Sequence, residues 1–140
     1  MRIYFAGSIR GGRDDRENYL KIIKHLQKYG EVLTEHIGDK KISDRGDIGL
    51  SEEEIYNRDI KWLNEADVVV AEVSNPSLGV GYEIAKAGSM GKKVLCLYKI
   101  KKDKFLSAMI QGSFDVEVRK YSELNGAFEN IDNFFKRELK

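Results

Sequence analysis

Two adjacent stretches decide the fold, Asp67–Val73 (DVVVAEV) and Pro76–Glu83 (PSLGVGYE). The first is a mostly apolar run of strand length, which is typical of a parallel strand buried on both faces. The second contains Gly79 and Gly81 and leads into Ile84–Met90, which we interpret as a helix. Glycines where a strand passes into a helix let backbone N–H groups approach an anion. The pattern therefore predicts a strand–loop–helix unit with an anion site at its turn.

Glu83 falls in the first turns of that helix, beside the predicted anion site. Its carboxylate is either a partner of the helix dipole or a chemical reagent. Spacing alone leaves both interpretations open.

Outward from this unit, strands and helices alternate along the whole chain. Hydrophobic patterning predicts strands at Ile3–Ala6, Glu31–Glu35, Asp67–Val73, Val94–Tyr98 and Val116–Tyr121. Such alternation predicts an α/β fold in a single domain of residues 1–140: a doubly wound five-stranded parallel sheet with the flavodoxin-like, Rossmann-like order 2-1-3-4-5.

Start and stop signals predict the helix bounds. A first helix is expected over Asp14–Tyr29, with Gly30 as its C′ residue. Ser51 and Glu54 form a capping box that opens a second helix ending near Glu65. Further helices are predicted over Phe105–Ile110 and from a Ser122 cap to Leu139.

Composition excludes several classes of protein. The chain has 140 residues, of which 41% are hydrophobic and 34% charged, with a net charge of +1. This balance argues against disorder, nucleic-acid binding and binding to an anionic membrane. The lone Cys96 is expected to be a small buried hydrophobe in a reducing, cytoplasmic compartment, and no cluster of metal ligands is visible. The first residues begin a strand rather than a signal peptide.

In the predicted strand order, the ligand crevice lies between the carboxyl ends of the first and third strands. The loops there, Gly7–Gly12 and Ser77–Gly81, are both rich in glycine, and together they indicate a bound phosphate. Neither loop has the ending of an ATP-binding P-loop or the third glycine of a dinucleotide fingerprint. Gly38–Leu50 is long and polar, as lids and binding segments often are.

Asp59 lies on the apolar stripe of the second helix, four residues after Ile55 and three before Trp62. It either forms a salt bridge at the edge of that face, for instance with Arg58 or Lys61, or has a functional role.

Six segments, in order along nearly the whole chain, resemble the 2′-deoxynucleoside 5′-phosphate N-hydrolases of the wider nucleoside 2-deoxyribosyltransferase family. They are Tyr4–Gly12, Leu33–His36, Asp59 with Trp62–Leu63, Ala66–Val73, Pro76–Glu83 and Leu106–Ile110. The resemblance implies cleavage of the N-glycosidic bond of a nucleoside monophosphate, without a metal or cofactor.

The resemblance also implies roles for single residues. Glu83 matches the nucleophile, which the helix N-terminus should keep ionised, and Asp59 matches an acid/base group. Tyr4 matches a tyrosine near the sugar, and the alternative is a strand tyrosine half inside the core. The 5′-phosphate and neighbouring positions match Gly7, Ser8, Ile9, Arg10, Gly11, Ser77, Gly79, Ser107 and Met109. Ser107 and Met109 would complete the partner's site in a homodimer.

Four other functions remain alternatives: a ribonucleotide hydrolase of the CMP-cleaving type, a phosphoribohydrolase of the cytokinin-activating type, a deoxyribosyltransferase and a nucleotide sensor without turnover. Tyr4 favours deoxyribose over ribose, and Arg10, Ser77 and Ser107 favour a phosphorylated substrate. The phosphoribohydrolases have adjacent glycines in their loop, which this chain lacks. The presence of both Glu83 and Asp59 favours an enzyme, because a sensor needs neither.

Overall fold

The computed structural model describes residues 1–9, 13–34 and 49–139. Five strands form one sheet in the order β2-β1-β3-β4-β5, and each neighbouring pair is parallel. The strands are β1 (Arg2–Gly7), β2 (Glu31–Val32), β3 (Val68–Glu72), β4 (Lys93–Lys99) and β5 (Glu117–Tyr121). The helices are α1 (Arg13–Leu26), α2 (Glu52–Glu65), α3 (Leu78–Ser89), α4 (Ala108–Gln111) and α5 (Leu124–Glu138). The predicted fold class and strand order are confirmed.

The sheet has a core on each face, because successive side chains of a strand point to opposite sides. On one face Phe5 packs with Tyr19 of α1 and with α5. On the other face Tyr4 packs with Leu63 of α2 and Ile84 of α3. All five residues of β3 are buried, which confirms the interpretation of the apolar run. Cys96 is also fully buried, as expected.

β2 is shorter than predicted, with two residues instead of five, and Glu35 lies outside the described residues. A side chain extends the pairing beyond it. The Thr34 hydroxyl accepts a hydrogen bond from the Phe5 N–H at 2.8 Å and donates one to the Phe5 carbonyl at 2.6 Å. This buried threonine holds the edge beside β1, where regular pairing has ended.

Gly30 has a different role from the predicted helix cap. The α1 helix ends at Leu26, and Gly30 is not in the left-handed region. A Cβ atom at Gly30 would lie 2.0 Å from the Met1 carbonyl oxygen. Glycine is needed here because two backbone segments approach closely, and not because the helix ends.

The capping predictions had mixed outcomes. The box at Ser51 is confirmed: its hydroxyl accepts the Glu54 N–H at 3.1 Å, and Glu54 accepts the Ser51 N–H at 3.3 Å. The Ser122 cap is wrong, because Glu123 occupies the N-cap position of α5 and makes no side-chain capping bond. The helix predicted from Phe105 starts later, at Ala108.

The described helices include none that is long and apolar enough to span a membrane.

Candidate functional site

The N-terminal part of α3 differs from the prediction, and this difference positions the site. The helix begins at Leu78, so Gly79 and Gly81 lie in its first turns rather than in a loop before it. The Ser77 hydroxyl accepts the Val80 N–H at 3.2 Å and starts the helix as its N-cap. Glu83 consequently lies in the second turn, on the same helix face as Gly79.

Tyr4 and Glu83 form the centre of the site. Tyr4 projects from β1, is 1% exposed, and donates its hydroxyl proton to Glu83 Oε2. Tyr4 is therefore a core residue with its polar end on the carboxylate, which combines the two interpretations left open by the sequence.

Asp59 belongs to the same cluster. Its negative charge raises the pKa of both Tyr4 and Glu83, so the three groups are electrostatic neighbours. The Nε and Nη2 atoms of Arg58 each lie 3.0 Å from Asp59 Oδ1, and the guanidinium also lies 4.8 Å from the centre of the Trp62 ring. The predicted salt bridge is thus present, and Asp59 is at the same time an electrostatic neighbour of Glu83.

Burial sets the protonation of this cluster. It raises the pKa of Glu83 to about 7, with the Asp59 charge acting in the same direction and the Tyr4 hydrogen bond opposing it. The expectation that the helix N-terminus keeps Glu83 ionised is therefore wrong for the free protein, in which both forms are populated near neutral pH. The pKa of Tyr4 is raised far above its ordinary value, mainly by burial, so Tyr4 remains a donor.

The first predicted phosphate loop follows directly after β1. Gly7 is the last residue of the strand, and a Cβ there would lie 3.0 Å from the Tyr19 ring. Ser8 is buried and Ile9 is half-buried. Arg10 and Gly11 lie outside the described residues, as does most of the predicted lid, residues 38–48.

The second predicted loop is next to the carboxylate. A Cβ on Gly79 would lie 3.9 Å from the Ser77 hydroxyl oxygen and 4.0 Å from Glu83 Oε1. Ser77 and Gly79 therefore share one surface with Glu83. Because Ser77 caps the helix with a lone pair, its hydroxyl proton can still be donated to a ligand.

Ser107 and Met109 lie elsewhere. Ser107 is the N-cap of α4, where its hydroxyl accepts the Met109 N–H at 3.3 Å, and both residues are exposed. They line a groove of about 730 Å³ beside α3, together with Ser77. Tyr4 and Glu83 do not line this groove.

Sequence reasoning missed a buried acid, Glu72. It lies at the end of β3, is 3% exposed, and accepts hydrogen bonds from Ser74 and Tyr121. An acidic residue within an otherwise apolar strand was the signal that could have revealed it, because buried carboxylates need partners. Among the described residues there is no cluster of three or more His, Cys, Asp or Glu that could hold a metal ion.

Comparisons with known proteins show the family of this chain and support its fold. The family model described as nucleoside 2-deoxyribosyltransferase matches residues 3–127. A 5-hydroxymethyl-dUMP N-hydrolase of Esox lucius is 50% identical over 128 residues, which cover 88% of this chain and 88% of that protein. One of Danio rerio is 48% identical over 134 residues, covering 92% and 94% of the two chains. A solved structure of a Clostridium botulinum CMP N-glycosidase has a TM-score of 0.69 at 20% identity, covering 95% of this chain and 99% of its own, and it supports the fold alone.

Proposed function

The chain belongs to the nucleoside 2-deoxyribosyltransferase family, and from that premise we propose that it hydrolyses the N-glycosidic bond of 2′-deoxynucleoside 5′-monophosphates. The products are the free base and 2-deoxyribose 5-phosphate. The observation that carries the proposal is the half-buried Tyr4–Glu83 hydrogen bond next to Asp59. A binding protein without turnover has no use for two neighbouring carboxylates that disfavour each other's charge.

The proposed mechanism is a double displacement. Ionised Glu83 attacks C1′ of the sugar as the bond to the base breaks, and Asp59, which takes up a proton when the nucleotide binds, supplies the proton that the departing base takes. Asp59 then accepts a proton from water, which attacks C1′ of the glycosyl ester and releases Glu83. This is the logic of retaining glycosidases, in which an oxocarbenium-like transition state is stabilised by the nearby carboxylate. Tyr4 orients Glu83 and keeps part of it ionised.

The 5′-phosphate is assigned to the two loops at the carboxyl ends of β1 and β3. Support comes from Ser77 and Gly79, whose positions border Glu83, and from Ser8 at the end of β1. The N–H groups in the first turn of α3 point toward the same end of the sheet, where a helix N-terminus favours an anion. Gly7, Ile9, Arg10 and Gly11 complete the proposed pocket.

A homodimer is the second part of the proposal, with Ser107 and Met109 of each chain completing the other's site. Its support is the apolar surface around the groove beside α3, where Leu78, Phe105 and Met109 are 97%, 92% and 84% exposed. Exposed apolar patches of this kind commonly mark protein interfaces. We place the enzyme in the cytoplasm, because the buried free Cys96 fits a reducing compartment.

Base release decides the enzymatic proposal. The purified protein is incubated with 5-hydroxymethyl-dUMP, dGMP, the other deoxynucleoside monophosphates and CMP, and free base is quantified by chromatography. We expect release from at least one deoxynucleotide, and none from the Glu83→Gln variant, which still binds the nucleotide. Binding by wild type with no release from any substrate would overturn the proposal. Transfer of the sugar to an added base would identify a transferase instead.

Mixing two variants tests the shared site. Ser107→Ala lacks the proposed phosphate contact, and Glu83→Gln lacks the nucleophile. A heterodimer of the two has one site with both residues intact if Ser107 acts in the partner's site. We therefore expect mixing to restore base release above the sum of the separate variants. No gain on mixing, or a fully active monomer at micromolar concentration, would contradict the shared site.

A further inference from the structure

Glu72, which the proposed mechanism does not use, has a carboxylate that accepts three hydrogen bonds. Oε1 accepts the Ser74 N–H at 2.7 Å, and Oε2 accepts the Ser74 hydroxyl at 3.0 Å and the Tyr121 hydroxyl. Burial raises the pKa of Glu72, and the three hydrogen bonds act against that rise. Burying a carboxylate costs stability, so the presence of Glu72 at this position needs an explanation.

The network joins the carboxyl ends of three strands. Ser74 follows β3, and its hydroxyl oxygen accepts the N–H of Lys99, the last residue of β4, at 2.8 Å. Because that lone pair is occupied by Lys99, the Ser74 proton is directed at Glu72. Tyr121 is the last residue of β5. Through Glu72 and Ser74, the backbone immediately after β3 is therefore tied to the ends of β4 and β5.

A second tie acts on the same segment from the opposite side. The Asn75 side-chain amide donates a hydrogen bond to Asp15 Oδ2, which lies in the first turn of α1. Since α1 follows the first predicted phosphate loop, this bond connects the two loops of the proposed pocket. The connection from Ser74 to Ser77 is thus anchored at both of its first residues before it reaches the cap of α3.

We propose that Glu72 is a positioning residue that holds the Ser74–Ser77 connection so that Ser77 and the N-terminus of α3 face the 5′-phosphate. Glu72 lies on the sheet face of α1 and α5, whereas Tyr4 packs on the face of α2 and α3, so Glu72 acts through the loop and not on the substrate. The inference rests on the proposed function for the identity of the ligand. Rigid support of a ligating group by buried hydrogen bonds is a general requirement for an accurate site.

The test compares tyrosine variants that each lose one hydroxyl bonded to a carboxylate. Tyr121→Phe removes a donor from Glu72, and the control Tyr29→Phe removes a donor from Asp132, which is on α5 and bonds to the C-terminal end of α1. Ser74→Ala and Glu72→Gln are tested beside them. For the three network variants we expect KM for the nucleotide to rise about tenfold with kcat within about twofold, the pattern of lost ground-state binding. Tyr29→Phe should leave both unchanged.

A phosphate-specific reading separates positioning from general damage to the fold. In the Glu83→Gln background, calorimetry measures the affinity for a deoxynucleoside 5′-monophosphate and for the same nucleoside without phosphate. We expect Ser74→Ala and Tyr121→Phe to weaken nucleotide binding about tenfold and nucleoside binding not at all. Equal losses for both ligands, or no loss for either, would overturn the inference.

These binding measurements do not need turnover, so they remain decisive if wild type releases no base and the proposed reaction fails. If Glu72→Gln does not fold, Ser74→Ala and Tyr121→Phe still decide the inference, because each removes one donor and leaves the carboxylate in place.

Discussion

Replacing Tyr4 by Phe should move the ionisation of Glu83 in a defined direction. The Tyr4 hydroxyl donates to Glu83 Oε2, and among burial, the Asp59 charge and this bond it alone lowers the pKa of Glu83. A hydrogen bond to a charged group contributes about 1.5–3 kcal/mol, and each pKa unit corresponds to about 1.4 kcal/mol. Tyr4→Phe should therefore raise the pKa of Glu83 from about 7 by roughly one to two units.

The assay is the pH dependence of kcat/KM for base release, which reports ionisations of the free enzyme. The acidic limb of wild type should have its midpoint near pH 7, because the nucleophile must be ionised. In Tyr4→Phe the acidic limb should move to higher pH, and kcat/KM at pH 7 should fall about 5- to 50-fold because a smaller fraction of Glu83 is ionised. Most of this loss should be recovered at high pH. Tyr29→Phe, which removes another tyrosine–carboxylate bond, should not move the limb.

Two results would refute this reasoning. An acidic limb that stays in place or moves to lower pH would show that the Tyr4 hydrogen bond does not favour the ionised form of Glu83. A rate loss of the same size at every pH would show that the hydroxyl acts on the substrate and not through Glu83.

Three further predictions concern single sites. The folded-state pKa of Glu83, about 7, lies above its ordinary value of 4.5, so its contribution to stability is full below pH 4.5 and is lost as pH rises through 7. Between pH 5 and 8 this group should cost up to about 3 kcal/mol in urea denaturation, a dependence that Glu83→Gln should lack. Gly79→Ala should leave the unfolding temperature unchanged or raise it, because alanine favours a helix over glycine by up to about 1 kcal/mol. Base release should nevertheless fall, because the added methyl group borders Glu83. The stability control is Gly81→Ala, whose Cβ meets no heavy atom within 4 Å. Tyr19→Phe should change the free energy of unfolding by less than about 1 kcal/mol, because among the described residues only the Ser8 backbone weakly approaches the buried Tyr19 hydroxyl; a larger loss in urea denaturation would contradict this.

The strand order was predictable from the sequence because it depends on periodicity and connection rules. The apolar run from Asp67 to Val73 predicts a central strand, and a central strand between helices implies a parallel sheet. The position of Tyr4 on the face that looks toward α3 follows from the alternation of side chains along β1.

Contacts between individual side chains were harder to predict from the sequence. Periodicity placed Asp59 on an inward stripe, but it could not show that Arg58 reaches the same carboxylate while Asp59 remains next to Glu83. Glu72 was hidden within the strand pattern because its partners lie 2 and 49 residues away. Local signals also misled where a distant segment decided the outcome, as at Gly30, which is fixed by the Met1 carbonyl.

The capping hydroxyl of Ser77 has a consequence for how this position can evolve. The same oxygen that starts α3 also borders the surface of Gly79 and Glu83. Aspartate caps helices as well as serine does, but its charge would repel a phosphate, while alanine forfeits the cap itself. Threonine and asparagine are uncharged and keep both a capping acceptor and a donor, so they are the substitutions expected at this position. A chain that carries aspartate here would keep the fold but lose affinity for phosphorylated ligands.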